Sequence, residues 1–274
     1  MSGTLYVVAT PIGNLEDLSP RARQTLAAVD LIAAEDTRHT GRLLSHFGVK
    51  TRLLALHDHN EADRADTVIE ALRSGQSVAL VSDAGTPLIS DPGYRVVQAA
   101  HDAGLTVSPV PGPSALAAAL SVAGLPTDRF CFEGFLPSKQ KARRDRLAGL
   151  AGEPRTMLFY ESVHRVGDCI DDMIETFGED RLASISRELS KLHEQVRLAT
   201  LGQLREQLAA GDITAKGEFV IVVAGAVGAG QSSLEADELL KELAGKLPDK
   251  EVARIAANVT GEKRNALYKR LLDL

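Results

Sequence analysis

The segment Ser82-Asp-Ala-Gly-Thr-Pro-Leu-Ile-Ser-Asp-Pro-Gly93 holds two glycines, two prolines and two aspartates in twelve residues, directly after the apolar run Ser77 to Val81. Glycine lets backbone approach a ligand closely, and proline stiffens the loop that carries it. Asp83 could accept a hydrogen bond from a ribose hydroxyl or a cationic group. Turns use the same residue types, so a ligand loop and an elaborate turn are both open on composition. Val110-Pro-Gly-Pro-Ser-Ala is a second such segment. Ser114 can cap the alanine-rich helix that follows. Capped or not, that helix start presents free N–H groups, and Ala115 with its small neighbours makes a wall flat enough for an aromatic ring.

Thr10-Pro-Ile-Gly-Asn-Leu is the third loop, and it lacks the GxGxxG dinucleotide fingerprint. The glycine-rich stretch Gly225 to Gly230 precedes no close helix and reads as linker. These features count against NAD binding and against the common Rossmann-type methyltransferases. A Walker A lysine motif and a GxSxG elbow are also missing from the sequence. His57-Asp-His-Asn offers two histidines two residues apart, which reads as a solvated loop rather than a metal site, since metals need three or four convergent ligands.

Charged clusters follow apolar runs in the second half: Phe159-Tyr-Glu-Ser-Val-His-Arg, Ser186-Arg-Glu-Leu-Ser-Lys-Leu-His-Glu-Gln and Lys216-Gly-Glu-Phe-Val. They are solvated strand ends or the seat of a general base facing the first three loops. Lys139, Lys141, Arg143, Arg144 and Arg146 place five cations in eight residues, either a charged helix face or a phosphate-contact patch.

The elements that must position these residues alternate. Strands are expected at Leu5–Thr10, Leu31–Ala34, Leu53–Leu56, Ser77–Val81 and Thr106–Val110, with helices at Pro20–Val29, Asp36–Phe47, Asn60–Ser74 and Tyr94–Ala103. Short connections between them predict a mostly parallel sheet covered by helices, with ligands beyond the strand carboxyl ends. A helix to Ala123 marks a junction. Strands then fit Arg129–Phe135, Thr156–Tyr160, Leu182–Ser186, Gln195–Thr200 and Glu218–Ala224, with helices at Gln140–Gly149, Val163–Phe177 and Gly202–Ala210, giving a second domain with a mixed sheet. A linker from Gly225 leads to a helical tail from about Leu234. Its segments Glu251–Asn258 and Asn265–Leu272, separated by a Thr260-Gly261 turn, suit a helix-turn-helix or any helical hairpin. The expected division is 1–112, 113–226 and 232–274.

The bulk numbers agree with such a chain. It has 274 residues, 44% hydrophobic and 25% charged, and a net charge of −6 that argues mildly against nucleic acid unless a local basic patch overrides it. No apolar run is long enough to cross a bilayer and the first residues do not read as a signal peptide. Cys131 and Cys169 form no CxxC pair, which suits a reducing cytoplasm.

Val8-Ala-Thr-Pro-Ile-Gly-Asn-Leu, Leu80-Val-Ser-Asp-Ala-Gly-Thr-Pro-Leu-Ile-Ser-Asp-Pro-Gly, Val110-Pro-Gly-Pro-Ser-Ala, Phe132-Glu-Gly-Phe-Leu-Pro, Tyr160-Glu-Ser-Val-His-Arg and Arg187-Glu-Leu-Ser-Lys-Leu-His-Glu occur in this order. Together they resemble the tetrapyrrole methylase superfamily, and within it the bacterial enzymes that methylate a cytidine 2′-oxygen of small-subunit (16S) ribosomal RNA. The resemblance covers essentially the whole chain. It implies two α/β domains with a cleft between them, a helix-turn-helix-like tail, and a homodimer. S-adenosyl-L-methionine would bind folded up in the cleft. Pro11, Asp83, Ala84, Gly85, Thr86, Ile89, Ser114 and Ala115 would hold it from one side, and Tyr160, Glu218 and Phe219 from the other. Thr86 stands where the family usually has Asp, a departure typical of the rRNA branch.

A ribose 2′-hydroxyl is a poor nucleophile and a sulfonium methyl is already activated, so the protein must align the two and assist loss of the proton. A metal is not required. Lys191, Glu188 and Glu194 are the candidate proton acceptors, with His193 behind them. The lysine qualifies if burial or neighbouring cations lower its pKa. Lys139, Lys141, Arg143 and Arg144, with Lys263, Arg264, Lys269 and Arg270 in the tail, are the candidate contacts to RNA in free or assembled 30S form. The rival readings are a tetrapyrrole methyltransferase and a ligand-sensing, nucleic-acid-binding regulator.

Overall fold

The computed structural model describes residues 2–57, 60–226, 233–260 and 264–272. The first sheet contains β1 (Thr4–Val8), β2 (Leu31–Ala34), β3 (Leu53–Ala55), β4 (Val78–Val81) and β5 (Thr106–Val110), all parallel, in the order β3-β2-β4-β1-β5. Every residue of β2 and β4 is buried, because both faces are covered. Leu31, Ala33, Val78 and Leu80 point to one side, against α3 (Glu61–Arg73) and α4 (Tyr94–Asp102). Ile32, Ala34, Ala79 and Val81 point to the other, against α1 (Pro20–Ala28) and α2 (Thr37–His46). The helix starts are locally encoded: Ser19 accepts from the Ala22 amide at 3.0 Å with Pro20 in the first turn, and Asp36 accepts from the Arg38 amide at 2.8 Å. Because β4, β1 and β5 are adjacent and parallel, the three loops that follow them leave the sheet side by side.

α5 (Ala115–Val122) leads into a mixed second sheet. Its strands are β6 (Phe130–Phe135), β7 (Thr156–Ser162), β8 (Leu182–Arg187), β9 (Gln195–Thr200) and β10 (Glu218–Val223), in the order β6-β7-β10-β8-β9. Only the β6–β7 pair is parallel. One face, with Phe159, Ile185 and Ile221, packs on α6 (Gln140–Ala148), α7 (Val166–Phe177) and α8 (Leu201–Ala210). The other, with Leu158, Val220 and Val222, packs on Ala119, Leu120 and Ala123 at α5. α5 therefore joins the two sheets by lying on the second.

β7 runs two residues beyond the expected Tyr160, which carries Glu161 and Ser162 into the strand. α7 starts at Val166 rather than Val163, since a turn closed by the Arg165 amide on the Ser162 carbonyl (3.1 Å) intervenes. Gly225 and Ala226 are docked rather than free linker. The Ala226 amide donates to the Glu153 carbonyl at 2.7 Å, and a Cβ on Gly225 would meet the Pro154 oxygen at 2.0 Å. The rest of the expected linker, 227–232, lies outside the described residues.

The tail holds α9 (Ser233–Leu243), α10 (Asp249–Thr260) and α11 (Arg264–Leu272), packed around Ala236, Leu240, Val252, Ala256, Leu267 and Leu271. Thr260 ends α10, its hydroxyl on the Ala256 carbonyl at 2.8 Å, rather than opening a turn; Gly261 lies outside the described residues. No described helix is long and apolar enough to cross a membrane.

Candidate active site in the interdomain cleft

The loop after β4 forms one wall. It is stitched to the loop after β1 by paired backbone bonds between Thr10 and Gly85, at 2.9 and 3.0 Å. Gly85 has φ +83°, a conformation that favours glycine. The Thr86 hydroxyl donates to the Pro113 carbonyl at 3.0 Å, tying this loop to the one after β5. That gives the residue at the departure from the family pattern a structural task. Leu88 and Ser90 also have positive φ, +71° and +68°. Such strain persists only where surroundings enforce it, and it concentrates at functional sites. The far end is held by buried Glu61, whose carboxylate accepts from the Gly93 and Arg95 amides at 3.0 and 2.7 Å, capping α4 from another helix.

Ser114 stands at the N-cap of α5 but makes no capping bond. The residue lines the cleft beside Ala115.

The second wall is the sheet. Phe135, Tyr160, Val220 and Ser186 are strand-paired in one row across β6, β7, β10 and β8, and all four line the cleft. Adjacent strands lie ~4.8 Å apart, so the row makes a floor about 14 Å long. Phe132 and Phe135 meet the Tyr160 ring edge-on at 4.9 and 5.6 Å. Burial pushes the Tyr160 phenol up to about 12, so it is a neutral hydroxyl at physiological pH. Ser186 is fully buried, and its hydroxyl has no hydrogen-bond partner among the described residues. Leaving such a group unsatisfied costs about 1–3 kcal/mol, so each instance calls for a reason.

At the rim, the loop after β8 carries Glu188 and Ser190 in left-handed conformation, φ +49° and +67°. The Lys191 ammonium donates to Glu188 at 2.9 Å and to Glu218 at 2.7 Å. Glu188 also accepts from the Glu218 amide at 3.0 Å. Burial opposes the charge on both Glu188 and Lys191, yet the pairing outweighs it: Glu188 is held below its ordinary value and Lys191 above. The neighbours of Lys191 are carboxylates, which favour its ammonium form, the opposite of what a lysine base needs. Glu194 accepts from the Ser190 amide at 2.7 Å, bracing the loop. His193 contributes its carbonyl to the buried Arg187 guanidinium at 2.7 Å, which also donates to the Lys216 carbonyl at 2.6 Å.

The cleft encloses about 410 Å³, within the ~300–1,000 Å³ of small-molecule sites. Of the residues expected to hold a cofactor, Ala84, Gly85, Thr86, Ile89, Ser114, Ala115, Tyr160, Glu218 and Phe219 line it. Pro11 and Asp83 do not. Pro11 is buried, and Asp83 accepts from the Asp36 amide at 3.0 Å, bracing the loop from behind. Ile12, Phe135, Glu161, Ser186 and Leu189 line the cleft without having been singled out. Ser186 left one signal in the sequence, a hydroxyl two residues after Ser184 in an apolar strand.

The basic run divides. Lys139 and Lys141 are exposed. Arg143 is 3% exposed and bonded to fully buried Asp172 at 2.6 Å, which removes it from any phosphate-facing patch. Arg144 bridges Asp172 and Glu175, at 2.7 and 2.8 Å. Buried Asp172 draws Arg143 inside, while Arg144 reaches the same carboxylate from the surface. In the tail Arg264 and Lys269 are exposed, Arg270 donates to Asp237 at 2.9 Å, and Lys263 lies outside the described residues. In the His57 segment, Asn60 bonds the His57 amide at 2.9 Å, and Asp58 and His59 lie outside the described residues.

Comparison with known proteins places this architecture. The family model "Tetrapyrrole (Corrin/Porphyrin) Methylases" matches residues 4–205, and "RsmI C-terminal HTH domain" matches 230–274. The chain belongs to the tetrapyrrole methylase family. Within it, the chain is 56% identical to ribosomal RNA small subunit methyltransferase I of Xylella fastidiosa, covering 97% of this chain and 98% of that protein. It is 52% identical to the protein of that name from Escherichia coli O157:H7, covering 99% and 95%. Uroporphyrin-III C-methyl transferase from Thermus thermophilus, solved with S-adenyl homocysteine, shares the fold with a TM-score of 0.53 at 19% identity, covering 81% of this chain and 97% of that one.

Proposed function

We propose that this protein transfers a methyl group from S-adenosyl-L-methionine to the 2′-oxygen of a cytidine in small-subunit (16S) ribosomal RNA. One observation carries the reading: relatives named for ribosomal RNA small subunit methylation match this chain from end to end, tail included. The tail also argues against a tetrapyrrole substrate, since a small-molecule acceptor has no use for an appended helical module. The cleft fits the cofactor on its own terms. It offers a flat alanine wall, an aromatic floor and a buried hydroxyl in want of a partner.

Bound there, the cofactor supplies a methyl group already activated on a sulfonium. The chain's residues supply alignment, which is worth up to roughly 7–11 kcal/mol of barrier. The loop from Ala84 to Ile89, with Ser114 and Ala115, holds one side, and Tyr160, Phe219 and Val220 the other. Lys191, fixed as an ammonium at the cleft rim, holds an RNA phosphate or the ribose. The proton leaving the 2′-hydroxyl passes to a carboxylate of the Glu188–Lys191–Glu218 cluster, Glu188 first. Exposed Lys139, Lys141, Arg264 and Lys269 contact phosphates of the free rRNA or the assembled 30S subunit. We assign the protein to the cytoplasm on the strength of its cysteine usage, and to a homodimer on the strength of the family resemblance.

The test is transfer of labelled methyl to small ribosomal subunits from cells lacking this protein, with tetrapyrroles and free tRNA alongside. Label on a ribose 2′-oxygen of the rRNA is the expected outcome. Label on a tetrapyrrole alone overturns the substrate, and tight cofactor binding with no transfer replaces the enzyme by a ligand-sensing regulator.

A further inference from the structure

Two hydroxyls interrupt the apolar face of β8. Ser184 and Ser186 are both fully buried, point to the same side of the sheet, and have no hydrogen-bond partner among the described residues. Only Ser186 lines the cleft. It stands at one end of the floor row, and the ends of that row differ. Phe135 at the other end is 58% exposed and opens to solvent. Around Ser186, Leu189 and Val220 are buried. The carboxylate of Glu218 sits at the exposed rim, bound to Lys191. The closed end is thus apolar, with one unspent hydroxyl that can both donate and accept. A heteroaromatic ring with a polar edge matches that chemistry, whereas an ammonium, carboxylate or sulfonium would lose its charge solvation there.

We propose that Ser186 is a specificity-determining residue whose hydroxyl hydrogen-bonds the edge of the adenine ring of the bound cofactor. The inference rests on the methyltransferase reading and deepens it. It assigns the adenine to the Ser186 end of the cleft.

The experiment is titration calorimetry with S-adenosylhomocysteine, which needs no RNA and no turnover. Ser186→Ala removes a hydroxyl without a partner in the protein, so the variant folds. Its affinity is expected to fall roughly 3- to 10-fold, the worth of one neutral hydrogen bond. Ser184→Ala, the same change one step along the same face, is expected to stay within about twofold of wild type. Analogues with the adenine altered one position at a time (1-deaza, 3-deaza, 7-deaza and 6-deamino) complete a cycle. The analogue lacking the atom bonded to Ser186 binds wild type weakly and loses nothing further in Ser186→Ala. Unchanged affinity in Ser186→Ala, an equal loss in Ser184→Ala, or additive losses with all four analogues each overturn the proposal. Failure of wild type to bind S-adenosylhomocysteine at all overturns the methyltransferase reading itself, and this inference with it.

Discussion

The side chain of Lys191 lies across the backbone of Gly13, so close that a Cβ on Gly13 would sit 2.3 Å from the lysine Cγ. One residue belongs to the loop after β1, the other to the loop after β8, so the contact bridges the two domains at the rim of the cleft. The Ser190 hydroxyl, donating to Asp17, reinforces the same bridge. Gly13 also has φ +153°, which an L-residue rarely adopts.

Gly13→Ala therefore displaces the ammonium from Glu188 and Glu218. A shift of about 1 Å in an aligning group can cost ~10²-fold in rate. We expect methyl transfer to fall by that order while S-adenosylhomocysteine affinity stays within about twofold, read by single-turnover transfer beside calorimetry. Normal turnover in this variant removes Lys191 from the reaction.

Gly217→Ala attacks the same cluster from the other side. A Cβ there would meet the Glu188 carboxylate oxygen at 2.2 Å, and Gly217 has φ +84°. If Glu188 takes the proton, this variant loses kcat at least tenfold with KM for RNA little changed. A rise in KM alone assigns Glu188 to binding.

The cluster has a defined pH signature. Glu188 is held below its ordinary 4.5, so its contribution to stability is full above 4.5 and is lost as pH falls through the lowered value. Lys191 is held above its ordinary 10.5, so its contribution is full below 10.5 and is lost as pH rises through the raised value. The stability difference between wild type and Lys191→Met, measured by denaturant melts, is expected to be constant between about pH 6 and 9 and to shrink outside it. A change centred near neutrality would mean that Lys191 titrates there, and would restore it as a base.

Arg143 and Lys139 sit four residues apart and are expected to behave oppositely. Arg143→Ala leaves the buried Asp172 carboxylate with Arg144 as its remaining cation and one oxygen without its partner, and should destabilise the fold by about 1–3 kcal/mol. Lys139→Ala with Lys141→Ala should leave stability within about 1 kcal/mol and flatten the salt dependence of RNA binding by about two phosphate contacts. An unchanged salt slope in the double variant takes α6 off the RNA surface.

Removing everything after Ala226 tests the tail. The tail has its own apolar core, so the body should keep S-adenosylhomocysteine affinity while rRNA methylation collapses. Full RNA affinity in the truncated chain would leave the tail without the role proposed for it.

Much of the framework was legible in the residues, because it is written in local chemistry. The β2 and β5 limits coincide with the expected strands: Leu-Ile-Ala-Ala is wholly apolar, and Thr-Val-Ser-Pro-Val carries its proline at the sheet edge, where the missing N–H is tolerated. Ser19 with Pro20, and Gly48 with φ +69°, mark helix ends through bonds to their own neighbours. The adjacency of the three suspect loops followed from the rule that parallel strands present their carboxyl ends together. What the sequence could not decide were relations between residues far apart in the chain. Ser114 reads as a cap, yet it makes no capping bond and lines the cleft. Asp83 reads as a ligand group, yet it braces the neighbouring loop through the Asp36 amide, 47 residues away. Arg143 reads as one of five surface cations until Asp172, 29 residues on, draws it inside. Lys191 reads as a base or a phosphate grip until Glu188 and Glu218 close on it and fix its charge. Identity and spacing determine which groups are available, but a pKa, an exposure or an unsatisfied hydroxyl depends on what packs against it, and only tertiary structure supplies that neighbour.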